Sequence, residues 1–441
     1  MSGPALPRRL GVFTAAAIVM GITIGSGIFR VPSSIASVVD SVGGMALLWV
    51  VAGLITLCFA LSLSELATMF PRAGGNFVFV HESFGPAAAF LYGWTFMWIN
   101  PAGWAAIAVT GAEYLGHFVP MTPLGQRAVA IAVILAIVIA NYRSVPLAAM
   151  VQNAATSAKA LALLALAVLV FALWRGDSGA LAQPISFDIG SVGGFGVALV
   201  TVLWAYEGVA SFCALCGEVR DPARALPRAL ILGVLAVIAL YLIVNAAYAY
   251  VLSIDEMQAS RLVAADAMMR VTGNIGAGLV AALVVLSTFG AVAALAMADP
   301  RVFYAMGREG LFFEYTSRVH PHFKTPHNAV VTAGLIACMW VSIRNFEQLA
   351  AVFVLGVWPF YALEVIGMMK LRRTRPDLPR PYRTLGYPVV PLVFIGAALL
   401  LLVNSLILQP RNAFISLGIT LLGLPVYFLW RRSGRAAVAP S

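Results

Sequence analysis

Two breaks punctuated by glycine interrupt long apolar segments of this 441-residue chain. They read Gly21-Ile22-Thr23-Ile24-Gly25-Ser26-Gly27-Ile28-Phe29 and Trp204-Ala205-Tyr206-Glu207-Gly208-Val209-Ala210-Ser211. Where a helix unwinds, one half exposes carbonyl oxygens and the other presents free N–H groups at its positive dipole end. Glycine permits both the backbone angles and the close approach of a ligand. The two breaks therefore predict a receptor for a zwitterion, unless the glycines only mediate helix packing.

The parts of this receptor follow from the polarity of the backbone. The N–H groups of Ser26, Gly27 and Ile28 would accommodate a carboxylate. Carbonyl groups at the second break would accept hydrogen bonds from an ammonium group, and they belong to Trp204, Ala205 and Glu207.

Lys159 is the next residue that could do chemistry. It lies in the middle of an apolar segment, where a charge is costly and marks a functional candidate by default. Its ammonium group could occupy the place of a bound sodium ion against carbonyls of the first break, or carry a proton. The alternative is a lysine whose side chain extends to the membrane surface.

Four other side chains leave their roles open. Glu207 could contact a substrate amine, titrate, or cap the half-helix that starts at Gly208. Trp204 could close over a ligand or simply pack. Glu65 and Glu364, near helix ends, are expected to pair with basic neighbours.

No nucleophile–base pair and no phosphate-binding loop is present in the sequence, which argues against an enzyme.

The composition indicates that these residues lie in membrane-spanning helices. Hydrophobic residues make up 61% of the chain, charged residues 10%, and the mean hydropathy is +0.93. An ordinary globular protein carries about 25% charged residues. At about 20 apolar residues per span, we predict an all-α integral membrane protein with twelve spans, at residues 11–37, 43–70, 85–115, 124–141, 148–174, 192–217, 226–253, 275–305, 327–345, 347–371, 386–408 and 411–431.

The breaks fall at matching places in spans 1 and 6. Breaks at corresponding positions in two halves are typical of transporters built from inverted repeats. We therefore predict a first five-helix repeat at 11–174, an inverted second repeat at 192–371, and two appended helices at 386–431.

The net charge of +10 is explained by the positive-inside rule rather than by nucleic-acid binding. Basic residues concentrate before span 1, in alternate loops and after span 12. We expect a multi-pass plasma-membrane protein, in a bacterial inner membrane, with both termini on the cytoplasmic side.

Several motifs resemble the amino acid–polyamine–organocation (APC) superfamily, and within it the L-type amino acid transporter branch. They extend over nearly the whole chain and include Ile24-Gly25-Ser26-Gly27-Ile28-Phe29, Ser64-Glu65-Leu66-Ala67-Thr68-Met69-Phe70-Pro71-Arg72-Ala73-Gly74-Gly75, Trp204-Ala205-Tyr206-Glu207-Gly208, Gly217-Glu218-Val219-Arg220-Asp221-Pro222 and Arg380-Pro381-Tyr382.

The resemblance implies a LeuT-type fold of twelve helices with discontinuous helices 1 and 6. It implies that both breaks bind the substrate backbone, at Thr23, Ile24, Gly25, Ser26, Gly27, Ile28, Trp204, Ala205, Glu207 and Gly208. Trp204 resembles the family's gate. Lys159 resembles the lysine that replaces a sodium ion, near Ser287. Trp104, Val357 and Trp358 match positions near the side-chain pocket.

The chain also departs from the family pattern. Animal members join a glycoprotein subunit through a cysteine between helices 3 and 4, but Gly116–Leu124 contains no cysteine, so no disulfide-linked heavy subunit is expected. Glu207 stands where many relatives have a small, apolar or aspartate residue, which leaves the charge of the substrate open.

The function predicted is sodium-independent secondary transport of amino acids by alternating access, through exchange or proton coupling and without a cofactor. The apolar or aromatic pocket positions favour neutral amino acids. The alternative is a transporter of cationic amino acids or polyamines. A sensor that does not transport is disfavoured, because we find no soluble output domain.

Overall fold

The chain is almost entirely α-helical in a computed structural model. The structure describes residues 10–72, 74–143, 145–177, 179–182, 188, 190–308, 310, 312–323 and 325–432, with backbone alone at 143, 145–158, 179, 182, 305, 308, 431 and 432. The outermost residues of both predicted cytoplasmic termini, 1–9 and 433–441, lie outside the described residues.

The helices follow one another with short connections. Their bounds are α1 Val12–Thr23, α2 Gly27–Ala36, α3 Val42–Met69, α4 Asn76–Phe84, α5 Pro86–Leu115, α6 Pro123–Arg143, α7 Val145–Leu173, α8 Val192–Ala205, α9 Val209–Phe212, α10 Pro222–Val251, α11 Ile254–Ala259, α12 Val263–Arg308, α13 His327–Ile343, α14 Phe346–Thr374, α15 Val389–Leu408 and α16 Pro410–Arg432.

Each of the twelve predicted spans contains a helix. Among the described residues, eight helices are long and apolar enough to cross a membrane, or nine if α1 and α2, bent by 46°, count as one span. Large apolar side chains are exposed on the outer helices, such as Leu400 at 73% and Ile407 at 70%. Such side chains are stable facing lipid. An all-helical membrane protein is therefore confirmed, while the number of twelve crossings stays a prediction.

Two short helices were not predicted. Helix α4 lies in the stretch 71–86, which the sequence presents as a loop, and α11 follows α10. A capping box starts α11, in which Ser253 and Glu256 each accept a hydrogen bond from the other's backbone N–H. Before α4, Gly75 has φ +50°, and a Cβ there would lie 2.8 Å from the backbone of Cys213. Only glycine fits this approach.

Long-range contacts group the helix ends into two faces. At one face, which we call the Leu10 face, the Leu10 N–H donates to the Glu218 carbonyl, and Gly75 packs on Cys213. At the other, the Glu347 face, Arg30 pairs with Glu113 and Glu347. Helix α4, which follows Gly75, belongs to the Leu10 face, and α11, which packs against α2, belongs to the Glu347 face.

Glu65 lies one turn before the end of α3 at the Leu10 face and is fully buried. Arg372 donates to both of its carboxylate oxygens at 2.8 and 2.5 Å, and Thr384 donates to Oε2 from its backbone N–H and its hydroxyl. The predicted pairing of Glu65 with a basic neighbour is confirmed. This cluster fixes the ends of α3 and α14 to the segment before α15.

Candidate functional site

The first break is three residues long. Helix α1 ends at Thr23 and α2 begins at Gly27, so Ile24, Gly25 and Ser26 are not helical. The break is thus shorter than the glycine-rich motif. Among the described residues, the N–H groups of Ser26, Gly27 and Ile28 have no backbone partner, whereas that of Phe29 donates to the Ser26 carbonyl. Ser26 is 1% exposed, and its Oγ has no hydrogen-bond partner among the described residues. Unpaired N–H groups and a buried hydroxyl therefore lie on consecutive residues of this break.

The second break starts two residues later than its motif. Helix α8 continues through Trp204 and Ala205, and the chain unwinds at Tyr206, Glu207 and Gly208. After it come a single helical turn, α9, and a 3-10 segment at Cys213–Glu218. Gly208 has φ +155°, a backbone conformation that residues other than glycine rarely adopt.

The two breaks touch each other at two glycines. A Cβ on Gly27 would overlap the Cβ of Ala205 and lie 2.5 Å from its Cα. A Cβ on Gly208 would overlap Oγ1 of Thr23 and lie 2.8 Å from its backbone nitrogen. The glycines therefore permit close packing as well as unwinding. The packing interpretation and the receptor interpretation apply to the same residues.

Tyr241 of α10 holds both breaks with one hydroxyl. Its oxygen lies 3.1 Å from the carbonyl oxygen of Thr23 and 2.9 Å from that of Ala205, so that its single O–H hydrogen is shared between the two carbonyls. Its ring is fully buried and packs edge-on against Trp49. This residue was not predicted, because a tyrosine within an apolar span gives no signal of which distant carbonyls it reaches.

Most of the carbonyls predicted to receive an ammonium group already accept hydrogen bonds from the protein. The Trp204 carbonyl accepts from the N–H of Glu207 at 3.2 Å, and that of Ala205 accepts from Tyr241. Any ligand would use their second lone pairs. The N–H groups and the hydroxyl of Ser26 are the freer part of the site.

Trp204 lies at the end of α8 in an apolar contact. Its ring is perpendicular to that of Phe353, with centroids 5.0 Å apart. A Cβ added at Gly103 would lie 3.3 Å from the Trp204 ring and 3.3 Å from Phe353. Trp204 thus bridges α5 and α14 beside the breaks, which is where a gate would act.

The residue of α5 that faces Trp204 is Gly103 rather than Trp104. Trp104 is fully buried, and its indole N–H donates to Oδ2 of Asp299 at 2.7 Å. Asn100 donates to the same oxygen. These bonds direct Trp104 toward α12, so its predicted place near the side-chain pocket remains a prediction.

Glu207 and Trp358 share a small cavity with Thr56, Phe59 and Tyr361. Its volume is about 10 Å³, room for about one water molecule. Tyr361 donates to Oε1 of Glu207 at 2.7 Å. The indole N–H of Trp358 has no partner among the described residues, and Val357 beside it is buried. Glu207 therefore faces α3 and α14, whereas Trp204 faces Phe353 and Gly103.

Lys159 of α7 is 4% exposed and lines a cavity of about 20 Å³ with Phe29 of α2 and Val284 of α12. Ser287 lies one turn beyond Val284, is buried, and its Oγ has no partner in the described residues. The structure thus brings Lys159, α2 and the Ser287 turn together. A hydrogen bond from the ammonium group to a carbonyl of α1 is not among the contacts of the described residues.

An ion cluster lies beyond the first break, toward the Glu347 face. Arg30 of α2 donates to Glu113 at 3.2 Å and to Glu347 at 2.7 Å. A polar vestibule of about 730 Å³ opens outside it, lined by residues that include Arg30, Ser33, Glu347 and Arg411. The cluster ties α2 to α5 and α14, on the side of the breaks that faces this vestibule.

A second cluster, outside the spans, lies at the Leu10 face. Glu82 of α4 pairs with Arg72 and Arg375. Partial burial opposes ionisation, but hydrogen bonds and charges from the two arginines outweigh it and hold the pKa of Glu82 below its usual range. The cluster anchors α4 to the end of α14.

Within an apolar bundle, two unwound helices contact each other, and one of the unwound ends carries free N–H groups. This arrangement is that of a membrane transport protein. The chain belongs to the amino acid permease family, whose profile matches residues 10–428. The resemblance predicted from the motifs is confirmed.

The curated relatives are similar over almost the full length. The mouse b(0,+)-type amino acid transporter 1 is 31% identical over 433 residues, covering 96% of this chain and 88% of its own. The rabbit large neutral amino acids transporter small subunit 2 is 32% identical, covering 97% and 81%. The serine/threonine exchanger SteT of Bacillus subtilis is 28% identical, covering 96% and 97%.

Proposed function

We propose that this chain is a sodium-independent secondary transporter that exchanges neutral amino acids across a membrane by alternating access. The observation that carries the proposal is the receptor at the first break. There the unpaired N–H groups of α2 and the buried Oγ of Ser26 meet the second break at Ala205. These groups match the carboxylate that every amino acid carries.

The helix order supports a LeuT-type fold of twelve spans with a 5+5 inverted repeat, at 11–174 and 192–371, followed by helices at 386–431. Each half begins with a broken helix, α1–α2 or α8–α9. The second span of each half is followed by a short helix, and these two helices, α4 and α11, lie at opposite faces. Opposite placement is what a two-fold axis in the membrane plane produces.

The distribution of charge supports cytoplasmic termini and a bacterial inner-membrane location. Arg72, Arg372 and Arg375 belong to the Leu10 face. The last described helix also ends there, because Trp430 stacks on Phe90 near the start of α5. Basic residues favour the cytoplasmic side.

A preference for neutral side chains rests on the surroundings of Trp204 and Glu207. Trp204 meets Phe353 and Gly103, an apolar setting in which a charged side chain would lose its hydration without gaining a partner. The one carboxylate of the breaks, that of Glu207, already accepts from Tyr361. The alternative, cationic amino acids or polyamines, requires Glu207 to turn toward the ligand.

Exchange in proteoliposomes tests the proposal. Labelled serine and labelled leucine are each taken up against internal unlabelled substrate, with choline replacing sodium, in competition with alanine, serine, leucine, phenylalanine, lysine and arginine. We expect uptake without sodium and competition by neutral amino acids. Amides and decarboxylated amines should compete far more weakly, because they lack the carboxylate.

Two variants separate the substrate classes. Tyr361→Phe frees the Glu207 carboxylate and should increase inhibition by lysine, whereas Glu207→Gln should not. Strong inhibition of the unmodified protein by lysine and arginine alone, lost in Glu207→Gln, would show that the neutral assignment is wrong. Equal competition by an amine and its parent amino acid would contradict the carboxylate receptor.

A further inference from the structure

Glu364 of α14 has no ionic partner where one was expected. It is fully buried, and neither carboxylate oxygen has a hydrogen-bond partner within the described ranges. The predicted pairing with a basic neighbour is therefore wrong for that part of the chain. Glu65 is equally buried, but Arg372 and Thr384 satisfy it. In the sequence the two residues look alike.

The surroundings of Glu364 are acidic or hydroxylic rather than basic. The titratable groups that interact with it electrostatically are Glu207 from the second break, Tyr92 from α5, Cys213 from the 3-10 segment and Tyr361 from α14 itself. On neighbouring α3, Glu65 is occupied by Arg372. No cation occurs among these interactions in the described chain. An ionised carboxylate in this position would be buried without compensation.

Helix α4 brings a side-chain amide to Glu364. The N–H group of Asn76, its first residue, favours the ionised carboxylate but does not meet the geometry of a hydrogen bond to it. The Oδ1 of Asn76 is buried and has no partner in the described residues. A protonated Glu364 has an O–H that this amide oxygen can accept after a small rotation. An ionised Glu364 has no donor to offer it.

We propose that Glu364 is a proton-binding site, and that it and Glu207 form a pair in which at most one carboxyl group is ionised. Tyr361 connects them, because it donates to Glu207 at 2.7 Å and lies one turn before Glu364 on α14. Two nearby carboxylates disfavour each other's ionisation. No bond is made or broken except the O–H bond of the acid, whose proton passes to and from water.

The packing of α4 determines where that water enters. Lys370 of α14 donates to the Ser83 carbonyl of α4 at 2.9 Å, and Gly367 packs directly on Ser83. Separation of α4 from α14 would expose Glu364 to the Leu10 face. On the proposed transport function, this site would link proton release at that face to the transport cycle.

Infrared difference spectroscopy tests the site without any transport assay. As pH is raised on the purified protein, the C=O stretch of a buried carboxylic acid should disappear, and Glu364→Gln should remove that change. Glu314→Gln alters an exposed carboxylate and serves as the control. A spectrum of Glu364→Gln that titrates like the unmodified protein would overturn the proposal, as would ionisation throughout the accessible pH range.

A transport assay then tests the link between proton binding at Glu364 and the transport cycle. Proteoliposomes containing a pH-sensitive dye report proton movement during uptake of labelled serine. Where one proton limits the rate, uptake should change by about tenfold per pH unit, and Glu364→Gln should flatten this to within about twofold. An unchanged pH profile in Glu364→Gln would refute the link. A titrating Glu364 signal without amino acid uptake would refute the proposed function alone, leaving the proton site intact.

Discussion

The contact between the two breaks predicts a sharp difference between two neighbouring glycines. An alanine at position 27 would place its Cβ 2.5 Å from the Cα of Ala205. Carbon atoms pack at about 3.5 Å or more, so α2 and α8 would have to separate by about 1 Å. Backbone atoms cannot turn aside as the end of a flexible side chain can. An alanine at position 25 meets only the Thr23 carbonyl, at 3.9 Å.

The separation would also loosen the Tyr241 bridge. Its hydroxyl hydrogen is shared between carbonyl oxygens 3.1 and 2.9 Å away, and it would lose one of them as the gap widens toward ~4 Å, at a cost of about 1 kcal/mol. With about 1–3 kcal/mol for overpacking, Gly27→Ala should destabilise the protein by about 2–4 kcal/mol. Gly25→Ala should stay within about 0.5 kcal/mol.

The assay is the thermal stability of the detergent-purified protein, followed by the stabilisation that serine or leucine adds. Gly27→Ala should lower the melting temperature by several degrees and weaken substrate binding at least about tenfold, which corresponds to 1.4 kcal/mol. Gly25→Ala should melt like the unmodified protein. Equal melting temperatures for the two variants, or a less stable Gly25→Ala, would refute the reasoning.

Three further outcomes are expected. Tyr241→Phe removes the donor shared by two buried carbonyls and should weaken substrate binding about tenfold. Its control, Tyr206→Phe, loses only the bond to the Trp49 carbonyl and should lower the melting temperature without weakening substrate binding. Similar binding by both variants would count against the bridge. Lys159→Ala should impair uptake more than membrane expression, and uptake should persist with choline in place of sodium; strict sodium dependence would contradict the role given to the ammonium group. The arginines lower the pKa of Glu82, so its contribution to stability is present above the ordinary carboxyl pKa and is lost as pH falls through the lowered value. The melting temperatures of the unmodified protein and Glu82→Gln should therefore converge in acid. A difference that stays constant with pH would contradict this.

Much of the helical framework could be predicted because the bilayer restricts the possibilities. A helix must satisfy its own backbone and span a set apolar thickness, so apolar length alone located α3, α6, α10 and α14 to within a few residues. The short helices α4 and α11 could not be found this way. They lie at the faces, where their structure depends on local capping and on contacts such as that of Gly75 with Cys213.

The positions of the breaks could also be predicted from the sequence, because three glycines within seven residues at the first break, and Gly208 at the second, weaken a membrane helix and permit it to unwind. What the glycines contact was decided by the tertiary structure. Gly27 meets Ala205 and Gly208 meets Thr23 only because α1–α2 and α8–α9 pack side by side. The same packing, not any local pattern, made Tyr241 the bridge between the two breaks.

The buried charged residues show the same division between what the sequence predicts and what the tertiary structure decides. The sequence alone places Glu65, Lys159, Glu207 and Glu364 within apolar segments, where a charge requires a reason. Their partners come from helices far away in the chain: Arg372 for Glu65, Tyr361 for Glu207, and no cation for Glu364 among the described residues. Apolar periodicity is a property of neighbouring residues, but the pairing of a buried charge depends on which distant helix lies beside it.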